Sequence, residues 1–208
     1  MKITNRLDPE RTLRVILARG EPWIRSFGYE TPNALATMGP FLPVWLSPSG
    51  QDPLAGKTPS LEAHFLIDTG ASVSGIAGKA ACCLGIMAHR ETQMSSATET
   101  SGRAVFRVRV TFGVVTFTGE VRSIPWDTEL AEAPILDRGF DLLLDGAGGG
   151  TQSPVIGLLG RDFLRFATMI YDGPGGAVEI RMTEADVVAM ESPQIVTVPG
   201  IPQGAFVG

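Results

Sequence analysis

A mostly β fold with a few short helices is predicted by three features of the sequence. Short runs carry apolar residues at alternate positions, the period of a half-buried strand. Gly (25) and Pro (15) are plentiful among the 208 residues and divide the chain into many turns. Only 19% of the residues are charged, too few for long solvated helices, while 44% are hydrophobic, enough for one core of ordinary size with extensions.

Taken in order, residues 12–18 (TLRVILA) read as a strand, and a polar segment with scattered prolines follows to residue 40. Residues 41–46 (FLPVWL) read as a second strand, which Pro43 restricts to a sheet edge or a bulge because it has no N–H to donate. Residues 47–60 are a loop by composition. Residues 61–67 (LEAHFLI) form a strand that enters the core and stops at Asp68-Thr69-Gly70. Residues 79–84 (KAACCL) suit a short helix stopped by Gly85. Residues 104–112 alternate, with Phe106, Val108 and Val110 on one face, and 114–121 are again strand-like; Gly113 between them reads as the turn of a hairpin. Residues 127–136 read as a helical insert or a loop. After a short apolar run (140–144) and a glycine-rich loop (146–153), residues 155–159 (VIGLL) make a buried strand and 160–166 a helix of one or two turns. Strands at 168–171 and 177–182 are joined by Asp-Gly-Pro-Gly-Gly, another hairpin signal. Thr183-Glu184-Ala185-Asp186 resembles a capping box opening a helix to Met190, and the tail from 193 is irregular.

The formal net charge of −5, with Lys and Arg scattered, argues against nucleic acid as a partner. Residues 1–13 are too charged for a secretory signal, and no apolar run approaches the length of a membrane span. The expectation is a cytoplasmic protein without a membrane partner. Cys82 and Cys83 are adjacent and poorly placed to crosslink; they read as small buried hydrophobes in a reducing compartment. His64 and His89 make no metal-site spacing with them, so neither a metal nor another cofactor is expected.

The stretch that carries chemistry is Phe65-Leu66-Ile67-Asp68-Thr69-Gly70-Ala71-Ser72. It puts a carboxylate where a buried strand breaks into a turn, a place where burial penalises its charged form. Gly70 leaves room for a sharp turn and for a substrate, and the Thr69 hydroxyl can lock the loop to backbone. Taken alone, an Asp before a Thr-Gly turn is more often an ordinary turn residue. A second motif, Leu158-Leu159-Gly160-Arg161-Asp162, follows later in the chain, with hairpin-forming sequence (94–112) between the two.

In that order the two motifs resemble the retropepsin-like aspartic proteases, the group of retroviral proteases and their cellular and bacterial relatives. The resemblance spans roughly residues 40–182. It implies a single-lobe closed barrel with short helices that works as a homodimer, flanked here by an N-terminal extension (1–39) and a C-terminal helix and tail (183–208), with 126–153 as an insertion. It implies an aspartic-type endopeptidase acting on a peptide or protein. Asp68 would be the catalytic residue, with Thr69, Gly70 and Ala71 supporting the active-site loop. Gly70 and Ser72, together with Ala97, Thr98, Glu99 and Thr100 of a flap whose tip lies in 95–103, would touch substrate. Leu159, Gly160, Arg161 and Asp162 would form the structural second motif.

Asp145 lacks the following threonine and reads as a loop residue, so the second carboxylate must come from a second copy. Ala71 offers no hydroxyl to the carboxylates, which implies a mildly acidic optimum. Ser72 stands where retroviral enzymes often have an acid, leaving Arg161 without that partner and free to bond neighbouring carbonyls instead. Two other readings stay open: a catalytically silent β-rich binding or scaffold protein of the same fold, and a maturation protease that processes its own extensions.

Overall fold

Alternating apolar side chains bury one face of a strand, and strands that share such a face close around it. A computed structural model describes residues 12–17, 39–53, 58–95, 100–115, 121–144, 155–172 and 177–191. Within them lie strands β1 (Thr12–Leu17), β2 (Phe41–Pro48), β3 (Leu61–Ile67), β4 (Gly75–Ile76), β5 (Ala88–Ser95), β6 (Thr100–Val115), β7 (Val121–Glu132), β8 (Val155–Leu159), β9 (Thr168–Asp172) and β10 (Ala177–Thr183). The helices are α1 (Gly78–Cys83), α2 (Asp137–Leu144), α3 (Arg161–Leu164) and α4 (Glu184–Glu191), with a 3-10 turn at Pro134–Leu136.

Six strands close into a barrel in the order β2-β3-β8-β4-β7-β6 and back to β2. The β3–β8 and β4–β7 pairs are parallel and the other four antiparallel. Pro43 sits where β2 pairs with β3 alone, since the β2–β6 register begins at Trp45, so its missing N–H costs no ladder bond on the other side. Outside the barrel β5 pairs with β6, and β1, β10 and β9 continue the sheet from the far end of β6.

The interior is filled from several strands at once. Phe106, Val108, Val110, Phe112 and Val114 of β6 are buried, as their alternation requires, together with Ile124, Trp126 and Leu130 of β7. Phe163 of α3 enters this layer edge-on to Phe112 (centroids 5.7 Å apart) and tilted against Trp126 (5.6 Å), an arrangement favoured by the ring quadrupoles. Val187 and Met190 of α4 join the same core, so the C-terminal helix packs with the barrel.

Two helix ends follow their sequence signals. Gly85 stands at φ +68°, donating to the Cys82 carbonyl while Ile86 N–H reaches the Ala81 carbonyl, each at 2.9 Å, and so terminates α1. At the start of α4 the Asp186 amide donates to Thr183 Oγ1 (3.2 Å) and the Thr183 amide to Asp186 Oδ2 (3.0 Å), a reciprocal cap.

Three expectations are corrected. Gly113 is no turn: it lies inside β6, paired with Ser123, and the hairpin partners run out to Val115 and Val121. Residues 127–132, read as helix or loop, complete β7, so the segment read as an insertion begins inside a barrel strand. Ile124, Trp126, Thr128 and Leu130 are buried at alternate positions, the period of a strand, and Arg109–Asp127 and Arg107–Glu129, each directly opposite in the β6–β7 register, add cross-strand ion pairs. Cys82 and Cys83 are both exposed, because α1 buries its opposite face through Gly78, Ala80 and Ala81. Residues 12–17, assigned to an extension, pair along their length with β10. Among the described residues no helix is long and apolar enough to cross a membrane.

Candidate active site

Parallel strands β3 and β8 run side by side and end together, bringing the two sequence motifs into contact. The Asp68 amide donates to the Leu159 carbonyl at 2.9 Å, and the Arg161 amide donates to the Ala71 carbonyl at 3.0 Å. Within the turn, the Ala71 amide donates to the Asp68 carbonyl (3.2 Å) and the Gly70 amide to Asp68 Oδ1 (2.8 Å). The carboxylate therefore has one oxygen held by its own loop. Asp68 is half-buried, while Thr69, Gly70 and Ser72 are exposed. Burial was expected to enclose the carboxylate; instead it lies at the barrel surface, because the chain leaves the core at Ile67.

Gly160 is required by close approach. A Cβ there would lie 2.7 Å from the Val73 carbonyl carbon and 3.0 Å from the Ala71 oxygen, so any side chain would push the Asp68 loop away. Beyond it, Asp162 turns back into the loop. Its Oδ2 accepts the Ser74 amide at 2.9 Å, and its Oδ1 accepts both the Ser74 hydroxyl at 2.7 Å and the Phe163 amide at 2.9 Å. Ser74 is fully buried, and its Oγ accepts the Gly160 amide at 3.0 Å. The hydroxyl thus donates to one motif residue and accepts from another.

Arg161 has a partner after all. Its Nη2 donates to Ser72 Oγ, because the loop folds back over α3 and brings the hydroxyl within reach of the guanidinium. Leu159, Gly160, Arg161 and Asp162 thus all meet the Asp68 loop. Thr100 stands at the β5–β6 hairpin end, its Oγ1 2.8 Å from Ser95 Oγ. Ala97, Thr98 and Glu99, and also Asp145, lie outside the described residues.

Three further groups went unrecognised in the sequence. Ser74 is one; its partner Asp162 is 88 residues away. Glu129 is the second: its carboxylate is 1% exposed, with His89 Nε2 at 2.8 Å, Arg90 Nη2 at 2.6 Å and Arg107 Nε at 3.6 Å. It ties β5 to β7 through the barrel wall. Asp127 is the third. Burial works to raise its pKa, but the Arg109 guanidinium, the Gly50 amide and the Ser49 hydroxyl together hold it below the usual carboxylate value. The alternation Arg107/Arg109 against Asp127/Glu129 was the signal that could have revealed both acids as cross-strand partners.

His64 lies within β3 itself, 4% exposed, and burial lowers its pKa to about 4. It is neutral in the folded protein over the neutral range. Among the described residues no group of three His, Cys, Asp or Glu side chains is placed to hold a metal ion. No family model matches the chain, and no curated protein matches it significantly.

Proposed function

We propose that the chain is an aspartic-type endopeptidase of the retropepsin-like kind, in which Asp68 of two copies forms one catalytic dyad. The observation that carries this reading is the bracing of the Asp68 turn. A half-exposed carboxylate is presented from a loop bonded, residue by residue, to the Gly160-Arg161-Asp162 segment. A turn aspartate needs only its own loop amides; a catalytic one must be held in place against a rigid support, which the second motif supplies.

Two carboxylates a few ångströms apart resist double ionisation and share one proton, as in aspartic-protease dyads generally. The ionised member takes a proton from a water molecule lying between them. The protonated member donates to the scissile carbonyl, and a tetrahedral intermediate forms. The carboxyl that took the water proton then gives it to the departing amine as the C–N bond breaks, and a hydroxyl of the intermediate returns a proton to the other carboxylate, leaving the dyad with one shared proton. The β5–β6 hairpin would cover the cleft as a flap. A twofold axis beside Asp68 supplies the partner carboxylate, so each chain is incomplete alone. The exposed free thiols Cys82 and Cys83 suit a reducing compartment such as the cytoplasm.

Digestion of a proteome-derived peptide library at pH 4–7, read by mass spectrometry beside Asp68→Ala, tests the reading. Cleavage by the wild type alone is expected. Equal, absent cleavage by both would favour a silent binding protein, since the Gly70 amide bond to Asp68 is also what an ordinary turn would show. Intact-mass comparison of the same two proteins tests self-processing.

A further inference from the structure

The β5–β6 hairpin and the turn that follows β7 enclose a cleft of about 330 Å³. Met94, Ser101 and Arg103 line it from the hairpin, and Glu132, Pro134 and Ile135 from the other side. Ile135 is 86% exposed at the rim. A large aliphatic side chain left in water beside a cleft is surface that a ligand would cover.

Two charged groups line the cleft, and they differ in what they already do. The Glu132 carboxylate accepts the Ala104 amide at 3.4 Å and lies so close over Gly78 that a Cβ there would be 2.7 Å from its Oε1. It is turned toward backbone. Arg103 makes no ion pair with any of the described residues. A guanidinium stays protonated throughout the working range, so it leaves a fixed positive charge on an otherwise mainly apolar wall.

The strand order also places the cleft relative to Asp68. Asp68 bonds to Leu159; the adjacent Leu158 is in register with Gly75; Gly75 is in register with Ala131, next to Glu132. Three of the six strand-to-strand steps around the barrel separate them, ~14 Å along the curved wall at ~4.8 Å per step, so an extended peptide at ~3.3 Å per residue spans the gap with no more than about four residues.

Resting on the protease reading above, we propose that this cleft is a subsite for an acidic side chain of an extended peptide substrate, within about four residues of the bond that is cut, with Arg103 as the residue that selects the charge. Apolar contacts with Met94, Pro134 and Ile135 would hold the aliphatic stem, and the guanidinium would take the carboxylate in a charge-assisted pair.

The test is cleavage-site profiling of a peptide library by wild type, Arg103→Gln and Arg103→Glu. In the wild-type profile, Asp and Glu should be enriched about tenfold at one position within about four residues of the cleaved bond, the scale of one charge-assisted hydrogen bond at a half-exposed site. Arg103→Gln should remove that enrichment, and Arg103→Glu should replace it with Lys and Arg. Cleavage by all three proteins with the same profile would overturn the subsite and leave the protease reading standing. Absence of any wild-type cleavage would overturn the protease reading, and the subsite with it.

Discussion

The buried hydroxyl of Ser74 donates to Asp162 at 2.7 Å and accepts the Gly160 amide at 3.0 Å, tying the loop after Asp68 to the second motif, with Asp162 88 residues further along the chain. A hydroxyl that is fully satisfied between a carboxylate and an amide orients both. Asp162→Ala would strand the Ser74 amide and hydroxyl donors at once, while the Phe163 amide keeps the Gly160 carbonyl, at a cost of about 2–4 kcal/mol in unfolding free energy. Ser74→Ala removes one bond in each direction and should cost about half as much. Urea denaturation checks both. If the bracing also positions Asp68, kcat of the peptidase falls further in Asp162→Ala than loss of folded protein accounts for.

His64 makes stability depend on pH. Its folded pKa, about 4, lies below the 6.5 of the unfolded chain. Between those values the unfolded state binds a proton that the folded state does not, so stability declines as pH falls from 6.5 toward 4 and this contribution levels off below. The full effect is at most about 3 kcal/mol, from 1.36 kcal/mol per pKa unit. Unfolding midpoints measured across pH 4 to 7 should slope downward toward acid in the wild type and flatten in His64→Leu, whatever that variant's stability at neutral pH. Parallel slopes would remove His64 from the account. The same decline would sharpen the acid limb of any peptidase activity.

Glu129 holds the hairpin to the barrel. Its carboxylate is enclosed, while the Arg90, His89 and Arg107 groups around it are partly solvated. Replacing it with Ala removes the acceptor shared by two guanidiniums and an imidazole that stay partly solvated, at a cost of about 1–3 kcal/mol. Amide hydrogen exchange is the discriminating measurement. Glu129→Ala should speed exchange along β5 more than along β2 and β3; uniform acceleration would mean that Glu129 contributes to global stability alone.

Much of this fold is legible in the chain because its signals are local. The apolar run before Asp68, the helix stop at Gly85 and the Thr183–Asp186 cap each depend on residues within a few positions of one another. The errors fall where the deciding partner is distant. Gly113 looks like a turn until Ser123 is seen opposite it, and residues 127–132 look helical until β6 is seen paired along them. The cysteines of α1 follow the residue type's burial tendency on paper, yet the short helix turns its small residues, Gly78, Ala80 and Ala81, inward. At the site, the Asp68 turn and the Gly160-Arg161-Asp162 segment stand out as motifs. Ser74, which binds them together, has no marker in a single sequence because a serine after a turn is ordinary anywhere.

The most direct test of a dyad built from two chains is a subunit-mixing titration. Wild-type protein is equilibrated with an equal amount of Asp68→Asn, and cleavage of a fluorogenic peptide is followed. Random pairing would leave a quarter of the dimers with two native aspartates among twice as many dimers, so activity per wild-type chain should fall to about half. Activity unchanged by mixing, or retained by Asp68→Asn alone, would contradict the account.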